Sequence, residues 1–118
     1  MLREMVERDG LLKHLLERST LTDAQLDTLL SDFNGRTLKE KIGLRDRLVS
    51  KGAFIRTLKQ AKGNLKASVF TLLLLGYLGY LGDEEVGAIF KLIELLRRAK
   101  GRREVIGLVD GIVDRLVK

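Results

Sequence analysis

The chain has 118 residues, 45 % hydrophobic and 32 % charged, with 22 Lys/Arg against 16 Asp/Glu and a net charge of +6. That length suits one domain with a modest core, and the hydrophobic content excludes a disordered chain. No Cys, no Pro, no Trp and one His exclude disulfides and thiolate metal sites and leave little for any first-row metal.

Apolar spacing is helical along nearly the whole chain, and no strand-like alternation bounded by turns interrupts it. Leu2, Met5, Leu12, Leu15 and Leu16 predict a first helix, weakened around Asp9-Gly10. Thr22 with Gln25 forms a capping-box signature that opens a helix carrying Leu26, Leu29, Leu30 and Phe33, with Asn34-Gly35 as its stop. Thr37 with Glu40 repeats the signature before Leu38 and Ile42, and Gly43 suggests a break or tight turn. Ser50 is placed to cap the next helix, with Phe54, Leu58, Ala61 and Leu65 as its apolar stripe. That helix either runs on or is interrupted at Gly63-Asn64. Gly82 followed by Asp83, Glu84 and Glu85 marks the end of one helix and the start of another, because acids complement the amides of a first turn. Ile89, Leu92, Ile93 and Leu96 form the inward face of this helix, and Val105, Ile106, Val109, Ile112, Val113 and Leu116 that of the last.

Residues 67–82 (ASVFTLLLLGYLGYLG) carry no charge over 16 positions. A spanning helix needs about 20 mainly apolar residues, so the expectation is a core or dimerisation helix and no membrane span. The start, MLREMVERDG, is charged within three residues and has no apolar signal core, which predicts a cytoplasmic location. Asn and Gln occur only at Asn34, Asn64, Gln25 and Gln60, a composition suited to a thermophile.

Charge is the most uneven property of the chain. Residues 36–66 hold ten Lys/Arg and two acids, a net of +8, so the remainder sums to −2. Between Asp46 and Asp83 there is no acid at all. Lys51, Lys59, Lys62 and Lys66 recur at helical spacing with Arg56 and Gln60 beside them, so they share one side of the helix after Ser50. Such cations repel one another, and a phosphate backbone would relieve the repulsion and release counterions. The plain alternative is a solvated lysine face. The absence of interspersed acids favours nucleic acid. A second cluster, Arg97, Arg98, Lys100, Arg102 and Arg103, is accounted for by the dipole at a helix C-terminus, with Glu94 and Glu104 nearby.

The run from Val49 to Leu65, with Ser50, Gly52 and apolar Phe54, Leu58, Ala61 and Leu65, resembles the recognition helices of helix-turn-helix proteins of the sigma-factor region-four and response-regulator type. It covers 17 residues; upstream, residues 43–48 are longer and more charged than the turn of that motif. The resemblance implies that Lys51, Arg56 and Gln60 reach base edges in the major groove, Arg pairing with guanine and Gln with adenine. It implies that Lys59, Lys62, Lys66, Arg45 and Arg47 contact phosphates.

Catalytic chemistry has few candidates. His14 lies between Lys13 and Leu15 as an ordinary helical residue, and Ser19, Ser31, Ser50 and Ser68 have no recognisable base. Asp110 and Asp114 stand one turn apart on a polar face, and the glycines match no phosphate-binding or dinucleotide fingerprint. The expectation is an all-α domain over 1–118 of about five to six helices, with a helix-turn-helix-like basic region at 36–66 and apolar core or dimerisation helices at 67–118. Its expected role is non-enzymatic, without cofactor or metal: a homodimeric binder of duplex DNA in preference to RNA, either a transcriptional regulator or a nucleoid-associated protein. An assembly module with an oligomerising helical core, or an RNA-binding protein, stays open beside it.

Overall fold

The computed structural model describes residues 1–117. It is all-helical: α1 (Leu2–Arg8), α2 (Gly10–Arg18), α3 (Asp23–Asn34), α4 (Leu38–Leu44), α5 (Lys51–Tyr77), α6 (Asp83–Arg98) and α7 (Ile106–Leu116), with one 3₁₀ turn at Arg103–Val105. Among the described residues there are seven helices where five to six are expected, chiefly because the first divides. Asp9 leaves α1 in extended geometry, and its carboxylate accepts from the Leu12 amide at 3.0 Å, capping a new helix.

The other caps are local and follow the sequence. Thr22 Oγ1 accepts from the Gln25 amide at 3.1 Å, and Gln25 Oε1 accepts in return from the Thr22 amide at 3.2 Å. Thr37 and Ser50 each accept from the amide three residues on, at 3.1 Å. Gly35 makes the α3–α4 turn possible, since a Cβ there would stand 2.9 Å from the Lys41 amide nitrogen. Gly43 is the second-last residue of α4, and the chain bends directly after Leu44. Gly63-Asn64 does not interrupt α5, which runs for 27 residues, about 40 Å.

The helices α3, α4 and α5 touch one another pairwise, and α3 lies along the first half of α5. Phe54 and Ala61 of α5 are buried there. The most deeply buried positions of α3 are polar, while the expected Leu26, Leu29 and Leu30 are only half-buried. Asp27, Thr28 and Ser31 are all buried, while Phe33 is 87 % exposed. Small hydroxyls let two helices approach closely, and Thr28 bonds back to the Ala24 carbonyl at 2.7 Å. Asp27 gathers three donors: the Leu2 amide at 3.2 Å, the Asp46 amide at 2.9 Å and the Arg45 guanidinium.

Gly79, at φ +78°, turns the chain after α5, and the buried Leu81 returns beneath it, donating from its amide to Leu75 O at 3.2 Å. The last two helices are loosely packed. Of the faces expected inside, only Leu92 on α6 and Val109 on α7 are fully buried, and Ile93 and Val113 are exposed. A cavity of about 460 Å³ opens between them over Leu92, Leu95, Ile112 and Leu116. His14 Nε2 and Asp110 Oδ1, 2.8 Å apart, tie α2 to α7. The Cα radius of gyration is 16.1 Å, against about 13.5 Å for a compact chain of this length. The excess reflects the second half of α5, which projects with little cover. No helix among the described residues is long and apolar enough to cross a membrane.

Candidate nucleic-acid interface

The position of α5 is fixed from one side. Phe54 and Ala61 are buried, and Thr57, Leu58 and Asn64 are half-buried beside them. Asn64 Nδ2 donates to the Thr20 carbonyl at 2.6 Å and to Gln25 Oε1 at 3.1 Å, pinning the middle of the helix to the α2–α3 connection. At about 100° per residue, everything opposite that stripe must face outward. Lys51, Arg56, Lys59, Gln60, Lys62 and Lys66 are all exposed there, within about half the helix circumference. Arg47 is exposed in the six-residue connection between α4 and α5, next to a fully exposed Leu48.

The cations are compensated unequally. Lys62 Nζ lies 3.9 Å from Asp32, a carboxylate already engaged by Lys41 at 2.9 Å. Among the described residues, Lys51, Arg56, Lys59, Lys66 and Arg47 have no carboxylate within 4.0 Å. Five unneutralised positive charges on and beside one helix give a potential that exposed pairs elsewhere on a surface would cancel.

Arg45 is the correction. The sequence pattern places it on phosphate, but the structure turns it inward against Asp27, leaving its side chain 8 % exposed. A buried carboxylate without a cation is costly, and the Asp27–Arg45 pair neutralises the charge where α3 meets the start of α1 and the connection after α4. The sequence holds one clue: Asp27 stands among leucines in α3, a polar residue in an apolar register. Nothing in the sequence identifies Arg45, rather than Arg47, as its partner.

Two glycines that the sequence does not mark as contacts also belong to this surface. Gly52 and Gly63 lie on the exposed side of α5, and a Cβ at either would meet nothing within 4 Å. Packing therefore does not require them, although each costs a helix about 0.5–1 kcal/mol relative to Ala. Gly52 bares the helix backbone beside Lys51 and Arg56, and Gly63 bares it between Lys59 and Lys66, where a partner can come close.

The neighbouring apolar half of the same helix contrasts with this. Val69, Phe70, Leu73, Leu74, Tyr77 and Leu78 are each 55–90 % exposed. Residues 67–78 are therefore not a core helix of the single chain. The C-terminal cations Arg97, Arg98, Lys100, Arg102 and Arg103 are exposed around the α6–α7 connection, away from α5 in sequence. No group of three or more His, Cys, Asp or Glu able to hold a metal ion occurs among the described residues. The sequence matches no protein-family model, and comparison with curated proteins and with solved structures returns no match.

Proposed function

We propose that this protein binds duplex DNA through the cationic side of α5, as a homodimeric transcriptional regulator or nucleoid-associated protein. The observation that carries the reading is the set of five exposed cations, Lys51, Arg56, Lys59, Lys66 and Arg47, without carboxylate partners among the described residues. Helix N-terminal residues lead into a major groove, so Lys51 and Arg56 are placed for base edges and Lys59 and Lys66 for phosphates. Gln60, on the border of the same side, is the one neutral side chain there suited to reading adenine. The role is one of binding, with no catalytic residue and no cofactor.

Affinity for duplex DNA measured across salt concentration tests this. Four phosphate contacts, from Lys59, Lys62, Lys66 and Arg47, predict a log–log slope of about −3.6. No binding at low salt sinks the proposal, and preference for structured RNA in direct competition redirects it. A second reading, an assembly module, is favoured by the exposed apolar half of α5. In that case an acidic polypeptide outcompetes DNA for the same lysines.

A further inference from the structure

We infer that the apolar half of α5 is covered by the same segment of a second copy of this chain, the two helices running antiparallel across a twofold axis near Leu73. The inference rests on the homodimer of the proposed function and assigns its surface and polarity; it does not depend on DNA. A helix that is apolar all round belongs in an interior, and residues 69–78 have none in the single chain. Six large side chains, each more than half exposed, offer on the order of 100 Å² apiece, or about 600 Å² per partner, which reaches the lower bound of a specific interface. The excess radius of gyration agrees with a chain that finds part of its packing elsewhere. A membrane is the poorer occupant, because the apolar part of α5 is short and the helix continues directly into Lys66, Lys62 and Lys59.

Electrostatics selects the polarity. In a parallel pair the two cationic halves would lie side by side, about 10 Å apart, near the Debye length of about 8 Å. Repulsion among Lys51, Arg56, Lys59 and Lys66 of both copies would then oppose association. In an antiparallel pair the cationic halves point to opposite ends. Lys59 is 14 residues from Leu73, about 21 Å along the helix, so the two Lys59 side chains stand about 40 Å apart and are screened from each other. The closed twofold arrangement also places α3 and α4 of each copy at the outer ends, clear of the contact.

The chain has no Cys, so engineered thiols report the pairing without background. Sedimentation equilibrium of the full chain should show dimers at micromolar concentration, and Phe70→Glu with Leu73→Glu should weaken self-association at least about 100-fold while leaving the helical content unchanged. Under oxidation, Val69→Cys chains mixed with Tyr77→Cys chains should cross-link to each other in preference to themselves, since positions four residues either side of the axis face one another only in the antiparallel pair. Like-with-like cross-linking overturns the polarity. A wild-type chain that stays monomeric at high micromolar concentration overturns the second copy as occupant. Binding of that monomer to neutral phosphatidylcholine vesicles would assign the face to lipid instead. A dimer that ignores DNA leaves this inference intact and removes the DNA reading; a monomer that binds DNA does the reverse.

Discussion

The two halves of α5 are one continuous helix under two different regimes. From Lys51 to Lys66 it has a covered side against α3 and a charged side facing water. From Ala67 to Tyr77 it has no charge and almost no cover. The backbone does not register the change, because helix propagation is local and leucines and lysines both favour it. What differs is the partner each half requires: the first half lacks anions and the second lacks apolar surface. A helix can thus be complete as secondary structure and incomplete as part of a fold; the proposed DNA and second copy are the neighbours that would complete it.

The strongest way to break the comparison is to remove the frame under the first half. Arg45→Ala takes the guanidinium away from the buried Asp27, leaving it the Met1 ammonium at 3.9 Å and two backbone amides, and should lower stability by about 3 kcal/mol. That corresponds to a fall in melting temperature of more than about 10 °C, measured by circular dichroism. Where the variant is still folded, its salt slope for DNA should equal that of the wild type, because Arg45 is not at the surface. A normal melting temperature with weakened binding would return Arg45 to the interface.

Lys59→Ala and Lys66→Ala act on the charged side alone. Each should reduce the magnitude of the log–log salt slope by about 0.9 and weaken binding alike on all sequences, with an unchanged melting temperature. Lys62→Ala should do less, since Asp32 lies within 3.9 Å of it. Equal effects at the three positions would mean that the Asp32 contact is immaterial.

The glycines sharpen the contrast between the halves. Gly63, inside α5, and Gly76, its second-last residue, both have open space where a methyl group would stand, so Ala should stabilise by about 0.5–1 kcal/mol at Gly63 and by less at Gly76. Only Gly63→Ala should also weaken DNA binding, by standing a methyl group on the cationic side. A titration of both variants against one duplex checks this, and identical affinities would show that backbone approach at Gly63 is unimportant.

The smallest effect concerns Asp46, in the connection leading to α5. Burial works to raise its carboxyl pKa, but hydrogen bonds from the Met1 ammonium and the Arg3 amide more than offset it, holding it below the ordinary 3.8. A depressed folded pKa means that the contribution to stability is present above 3.8 and is lost as pH falls through the folded value. Urea midpoints of the wild type and Asp46→Asn should differ at neutral pH and converge on acidification. A gap that persists in acid would remove the ionic explanation.

Sequence spacing sufficed for the helical class, for the caps at Thr22, Thr37 and Ser50, and for the cationic side of α5, because hydrogen bonds three residues apart and a 3.6-residue period are properties of adjacent residues. Even the continuation of α5 through Gly63-Asn64 was one of the two outcomes that its pattern permitted. Tertiary structure alone decided that Arg45 turns inward while Arg47 stays out, that α3 buries Asp27, Thr28 and Ser31 in place of Phe33, and that residues 67–78 lie outside the core. Each of these depends on which distant surface is within reach, a matter of burial and charge pairing across tens of residues that no local period encodes.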